Sequence, residues 1–489
     1  MYREFNYRLV LRVMGSLVLI ESAVLLAICL IPIIYGENDA SYFLLSSAIC
    51  LVAGGTALFF GRNPPSRIGK REGSVIVTFT WIIFTLFGLL PFWLSGSIPK
   101  FTDAFFEVMS GFTTTGASIL NNIEQLSHGM LFWRSFTHWI GGLGIIVISL
   151  AILPVFGVSG TQLFAAETTG PTKDKIHPKI HETAKRLFAI YLTLTIAETF
   201  LLRLGGMNWF DALCHSFATI ATGGFSTKQA SIGFWDSAYI QYIISLFMIL
   251  SGINFSLYYF GLKNKWQKVR ENEEMRYYLI VLFSFSIIVA FSLIDFTKVQ
   301  SLQTLEKAWR DAFFTVSSLM TTTGFVTADY MFWKPLTWII LLIVMLTGAS
   351  AGSTSGGIKM IRVVISAKAI YYEFKRLIHP NAVLPVRYSK HMVREDIVTR
   401  VLAFTLLYLV VAAFGILVLA ISGMGFLESI GGLVTCLGGV GPGLGLVGPT
   451  GNFAYIPDFS KWFLSFIMLI GRLELFTVLL LFTPAFWKN

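Results

Sequence analysis

Charge is what this sequence has least of. Only 13% of its 489 residues are Asp, Glu, Lys or Arg, whereas 55% are hydrophobic and the mean hydropathy is +0.70. A water-soluble domain of this length could not cover its core with so little charge. Cysteine is scarce as well. Cys29, Cys50, Cys214 and Cys436 stand far apart in apolar context, which excludes a disulfide framework and metal-ligand spacing and leaves them as small packing residues. No G-x-x-x-x-G-K-[ST] run occurs, and the polar loops are too short for a nucleotide-binding domain.

What is abundant is long apolar sequence. Runs such as Gly15 to Tyr35, Ser74 to Leu94, Tyr277 to Ile294, Val401 to Ile421 and Trp462 to Phe482 reach or exceed the roughly 18 residues that cross a bilayer as a helix. Aromatics make up 15% of the chain, including 12 Trp, as expected for rings at membrane–water interfaces. The net charge of +10 gathers in alternate loops: Arg3, Arg8 and Arg12; Arg62, Arg67, Lys70 and Arg71; Lys173 to Arg186; Lys263 to Arg276; and Lys359 to Arg400. That alternation is the positive-inside pattern, so it predicts a cytoplasmic N-terminus and lipid headgroups, rather than nucleic acid, as the partner of the basic loops. The first apolar run is too long for a signal core, lacks a clear cleavage site and is followed by further spans, so it reads as a helix.

A repeat underlies this hydropathy. Four segments align without gaps: Asp103 to Gly116, Asp211 to Gly224, Asp311 to Gly324 and Glu428 to Gly441. Each opens on an acidic residue and reaches a glycine thirteen positions later. Expected spans precede them at 73–95, 186–204, 277–296 and 400–421, and follow them at 131–155, 238–262, 336–361 and 461–485. The unit is helix, short re-entrant helix with loop, helix. Irregular backbone at membrane depth is tolerated only inside protein or beside a water-filled cavity. The acidic residue suits a helix N-terminus, and the glycine lies just beyond the C-terminal end, whose partial negative charge favours a cation. Two spans per unit place all four loops on one face, around one axis. Inverted repeats, typical of rocking carriers, need an odd number of crossings.

The loops carry no charge, so any ion selectivity must come from carbonyl and hydroxyl oxygens replacing the hydration shell. The candidates are Thr114, Thr115 and Gly116; Thr222, Gly223 and Gly224; Thr322, Thr323 and Gly324; and Gly439, Val440 and Gly441. The exit helix of repeat three is interrupted by ten small residues, Gly348 to Gly357, which hold a helix poorly and read as a loop in an aqueous cavity; a close helix crossing is the alternative. Arg472 lies in the last span, where a charge needs a cavity or a partner. Glu474 is two residues away and faces elsewhere.

These motifs carry a resemblance. TTTGAS, ATGGFST, TTTGF and CLGGVGPGLG in order, the stretch Ala165–Ile176 and Gly348–Lys359 make the chain resemble the Trk/Ktr/HKT superfamily of potassium transporters, within it the TrkH/TrkG branch, over nearly its whole length. The implied fold is an all-α polytopic membrane protein with four helix–pore-loop–helix repeats in pseudo-fourfold arrangement and an extra N-terminal helix pair, at 13–35 and 42–61. The corresponding divisions are 1–64, 65–165, 166–270, 271–390 and 391–489. The resemblance further implies potassium as the permeant ion, Gly116, Gly224, Gly324 and Gly441 as filter glycines, and Gly116 in particular as favouring potassium over sodium. It implies a gate formed by the intramembrane loop (Gly348, Gly352, Ser353, Ser355, Gly356, Gly357) with Arg472. It also implies a homodimer, a cytosolic TrkA-type nucleotide-binding ring as partner, and a bacterial inner-membrane location. No organic cofactor is expected.

Two rivals differ in class. Gly348-Ala349-Ser350-Ala351-Gly352 matches G-x-S-x-G, but a nucleophile elbow needs a strand-to-helix turn and a base at hand. A symporter could use the intramembrane carboxylates Glu198 and Glu474; helix–helix contacts are the plainer role for both.

Overall fold

A computed structural model describes residues 5–62, 70–142, 144, 180–294 and 301–488. The segment Ala165–Ile176, the basic residues Arg3, Arg67, Lys173, Lys175 and Lys179, and the end of the span expected at 131–155 lie outside the described residues.

The N-terminal pair is Tyr7–Ile28, prolonged by Leu30–Tyr35, against Ala40–Phe60. Lipid offers helices no hydrophobic reason to associate, so small residues and interhelical hydrogen bonds do the joining. Here Gly15 and Gly54 face one another so closely that a Cβ on either would lie within 2.9 Å of the other's carbonyl oxygen. The hydroxyls of Ser22 and Ser47 donate to each other's carbonyls at 2.7 and 2.8 Å.

Four units follow. Their entry helices are Lys70–Gly88 with Leu90–Leu94, Ile180–Leu204, Glu273–Leu293 and Glu395–Ile421. The last of these is apolar all round, as a helix between protein and lipid must be. Phe404, Tyr408, Ala412 and Leu419 are buried against the bundle, while Leu406, Val410, Phe414 and Leu417 are exposed on the opposite side. Among the described residues six helices are long and apolar enough to cross a membrane, or up to eight if two bent pairs are each one span. A single two-stranded hairpin, Arg387–Tyr388 with His391–Met392, is the β-structure among the described residues.

The pore helices are Phe101–Phe112, Trp209–Ile220, Leu302–Met320 and Phe426–Gly438. Three of their acidic residues take the expected place in the first turn, at the positive end of the helix, but none serves as the cap. Asp103, Asp211 and Glu428 are third residues of their helices, and Asn208 rather than Asp211 caps the second. Asp311 lies well inside the third pore helix, which starts at Leu302 and is capped by Ser301. The carboxylates brace neighbours instead: Asp103 accepts from Lys461 Nζ at 2.6 Å, Asp211 from Thr227 Oγ1 at 2.6 Å and Glu428 from the Leu446 N–H at 3.1 Å.

The exit helices are less regular than the hydropathy predicts. The first is described as His128–Gly142. The second breaks after Ser251 and restarts at Phe255 with a bend of 91°; the fourth breaks after Arg472 and restarts at Leu475 with a bend of 117°. The continuous spans expected at 238–262 and 461–485 are therefore each two pieces. The third stops at Thr347 and resumes at Met360, as its small-residue tract predicts.

Candidate ion pathway

Each pore helix ends in the same way. The residue two before the filter glycine takes a left-handed conformation: φ is +55° at Thr114, +54° at Thr222, +57° at Thr322 and +70° at Gly439. The next residue, Thr115, Gly223, Thr323 or Val440, turns its N–H back to the carbonyl five residues earlier, at 2.8–2.9 Å. The glycine then has positive φ again, from +79° at Gly224 to +102° at Gly441. A left-handed residue with a Cβ costs about 1–2 kcal/mol, and a β-branched one is unusual there. Three threonines in one strained geometry persist because their surroundings impose it.

The four glycines close a ring. A methyl group on Gly116 would run into the carbonyl oxygen of Gly223, one on Gly224 into Thr323, and one on Gly324 into Val440. A Cβ on Gly441 would lie 2.8 Å from the carbonyl oxygen of Thr115. Each repeat thus lays its glycine against the carbonyl of the next, and the fourth returns to the first. Among the described residues, no hydrogen bond is donated to the carbonyls of Thr114–Gly116 or their three counterparts. Twelve carbonyls without a protein donor, on loops whose glycines line one cavity, are suited to a dehydrated cation. Opposite loops match: Thr113 and Thr115 pair their hydroxyls at 2.9 Å, Thr321 and Thr323 at 2.8 Å. The ring is pseudo-fourfold, with an inner twofold likeness.

Beyond the ring lies a cavity of about 80 Å³, lined by all four filter glycines. Its lining includes Arg134 and Lys228 but no Asp or Glu. Among the described residues no three His, Cys, Asp or Glu side chains cluster as a metal site would need, so a cation here meets uncharged oxygens.

Beneath the ring runs the loop of repeat three. The N–H of Gly356 donates to Thr322 Oγ1 at 2.7 Å, and that hydroxyl meets Ser355 Oγ at 3.3 Å. Gly356 also packs on the carbonyl of Gly438, and Gly348 on that of Gly356. The loop's first half is tied to the break in the second exit helix: Ser350 N–H donates to Gly252, and Phe255 N–H to the carbonyl of Gly352, both at 3.0 Å. Ser353 folds its hydroxyl onto the Ser350 carbonyl at 2.6 Å, and Gly357 takes φ +73°. Glu274 receives the N–H groups of Ala351 and Ile361, and Lys359 donates to the Ser355 carbonyl. Arg472, the last residue before the 117° bend, reaches three carbonyls: Thr354 at 2.8 Å, Gly141 at 2.5 Å and Gly142 at 3.0 Å. Glu474 pairs instead with Arg362 at 2.7 Å.

The twelve loop-end candidates thus lie in the ring; of the candidates in Gly348–Gly357, Ser355 and Gly356 meet Thr322 beneath it and Gly348 packs on Gly356, while Gly352 and Ser353 contact Asn254 and Ser350 instead. Sequence reasoning missed Glu107, Arg134 and Glu274, and set Lys359 at the head of a basic cytoplasmic run. All are charged and buried, and a charge inside a membrane segment was the available signal. Ser350 is buried in a loop with no strand before it, unlike a nucleophile elbow.

A membrane bundle that converges four pore helices on a ring of unpartnered carbonyls defines a cation-translocating protein. Comparison with known families agrees: residues 40–489 match the TrkH family, described as "Cation transport protein". The chain belongs to that family, which is one of transporters and not of enzymes. It is 40% identical to the Trk system potassium uptake protein TrkH of Escherichia coli strain K12, over 99% of this chain and 100% of that one. Against the Trk system potassium uptake protein TrkG of the same strain it is 33% identical, covering 99% of each. The crystal structure of the potassium transporter TrkH from Vibrio parahaemolyticus superposes with a TM-score of 0.88 at 34% identity, covering 99% of this chain and 100% of that one.

Proposed function

We propose that the chain is the potassium-selective, ion-translocating subunit of a Trk-type uptake system in the bacterial inner membrane, with its N-terminus in the cytoplasm. Permeation is channel-like, through the ring of Gly116, Gly224, Gly324 and Gly441 and the carbonyls below them. The observation that carries this reading is the closed ring of carbonyls that no described residue hydrogen-bonds. The loop Gly348–Lys359 is the gate, since it hydrogen-bonds Thr322 from below and is held by Arg472. A cytosolic nucleotide-binding partner of the TrkA type would meet the basic inner surface, where Lys263, Lys265, Lys268, Arg270 and Arg276 are exposed. The homodimer follows from the family resemblance.

The test is flux through purified protein in liposomes. Potassium should pass in preference to sodium, and Gly116→Ser should reduce that preference. A channel's reversal potential ignores an imposed proton gradient, whereas a proton-coupled symporter's follows it. Of the two carboxylates a symporter could use, Glu474 is occupied by Arg362 and Glu198 is buried with neither oxygen hydrogen-bonded by a described residue, so the gradient measurement decides between the two. Absence of potassium flux with and without a nucleotide-binding partner would overturn the proposal.

A further inference from the structure

Glu107 and Arg134 form an ion pair at 2.7 Å, with side chains only 1% and 3% exposed. Isolated burial of two charges is costly, and a buried pair is often no more stabilising than apolar residues of the same shape. What distinguishes this pair is what else it holds. Glu107, from the first pore helix, accepts from Ser118 Oγ at 3.0 Å and from the Ile119 N–H at 2.8 Å. Those residues stand two and three positions beyond Gly116. Arg134, from the first exit helix, donates to the carbonyl of Ser226 at 3.0 Å and lies 3.5 Å over the ring of Phe225. Phe225 and Ser226 follow Gly224 directly. One ion pair therefore grips the strands leaving two adjacent filter glycines.

The repeat makes this an asymmetry rather than a general feature. Four positions past each acidic residue the pore helices carry Glu107, His215, Thr315 and Gly432; two positions past each filter glycine stand Ser118, Ser226, Val326 and Gly443. In the first two repeats these positions bond, Glu107 to Ser118 and His215 Nε2 to Ser226 Oγ at 2.9 Å. Val326 and Gly443 have no side chain with which to do so. The third loop uses Ser318 Oγ on the Phe325 carbonyl at 2.7 Å instead, and the fourth is reached by Tyr330 Oη on Gly443 at 2.7 Å.

We infer that Glu107 and Arg134 are positioning residues that set ion selectivity by fixing the first two legs of the filter against one another. A ring of carbonyls discriminates between cations through its spacing and stiffness, and this pair ties two of its four quarters. The inference rests on the filter reading above. Potassium and sodium fluxes are compared in liposomes for wild type and for Ser118→Ala, Arg134→Lys, Arg134→Gln and Glu107→Gln, each checked for monodispersity. Arg134→Lys keeps the charge but loses the planar fork that serves Glu107 and Ser226 together. Selectivity should fall least in Ser118→Ala, further in Arg134→Lys, and at least about fivefold in Arg134→Gln, which is ~1 kcal/mol at 1.4 kcal/mol per tenfold. Glu273→Gln, which breaks a pair with Lys368 whose other partners, Ser389 and Arg387, lie outside the filter strands, should lower thermal stability and leave the ratio unchanged.

Monodisperse variants whose ratio stays within about twofold of wild type, or a Glu273→Gln that loses as much selectivity as Arg134→Gln, would overturn the inference. If the Gln variants do not fold, Arg134→Lys and Ser118→Ala decide it. Wild-type protein that fails to prefer potassium would refute the filter reading itself, a separate result.

Discussion

Arg472→Ala tests the proposed gate directly. The guanidinium spans from the Thr354 carbonyl of the intramembrane loop to the Gly141 and Gly142 carbonyls of the first exit helix. Hydrogen bonds from a charged donor contribute about 1.5–3 kcal/mol each. The Thr354 bond ties the guanidinium to the loop, so its loss should move the docked–undocked balance by about that amount. Starting from a loop undocked about 1% of the time, the shift raises the open fraction to roughly 10–60%. Removing a positive charge beside the path acts in the same direction. Arg472→Lys separates the two effects, because it keeps the charge without the fork that reaches carbonyls on two helices. Tracer rubidium uptake into liposomes should rise about tenfold or more for Arg472→Ala and by a smaller factor for Arg472→Lys. Thr354 keeps contacts of its own to the Ile220 and Ser251 carbonyls, so the loop should remain folded. Unchanged uptake through monodisperse Arg472→Ala protein would refute the latch.

Three further outcomes follow from the same geometry. Lys228→Gln removes a cation from a vestibule lined by no carboxylate; half-saturating potassium should fall about two- to fourfold in dilute buffer, and the difference should vanish in about 1 M impermeant salt, where the Debye length is ~3 Å. Gly324→Ala sets a methyl group against the Val440 carbonyl at φ +80°; ion flux should drop at least about tenfold, while membrane insertion, followed by size-exclusion chromatography, stays normal. Glu37 lies in the loop between the N-terminal helices. Burial pushes its carboxyl up, but hydrogen bonds from the backbone and ring of His128 and from the Gly129 N–H outweigh this, so the group titrates below the usual carboxylate range. Its contribution is present above the ordinary carboxylate pKa and lost as pH falls through the lowered one. Glu37→Gln should therefore cost about 1 kcal/mol at neutral pH, and its thermal unfolding should converge with wild type in acid.

The sequence made the ring legible because four loops in register can each be read on their own residues. It made the break at Gly348–Gly357 legible because ten small residues are a long interruption. The breaks at Gly252–Asn254 and Leu473–Glu474 are two or three residues within apolar runs, and any hydropathy window averages them away. Asn254, which caps the restarted helix by accepting from Ser256 N–H, was the missed cue. The long third pore helix had a cue as well. The residues before Asp103, Asp211 and Glu428 include Pro or Gly, whereas Ser301 to Arg310 contains neither, so the helix simply continues through Asp311. Glu107 and Arg134 lie 27 residues apart in the first repeat; each is a charge in a membrane segment, but no local spacing says that the two will meet.

The circular contact of each filter glycine with its neighbour's carbonyl has a consequence for how ion preference can change. In a ring assembled from four identical chains, one substitution alters every quarter at once. Here the quarters are covalently joined and separately encoded, so a replacement at Thr115, Gly223, Thr323 or Val440 perturbs one joint and leaves three intact. Ion preference in such a molecule can drift by single steps, each small enough for the remaining joints to keep the pathway working.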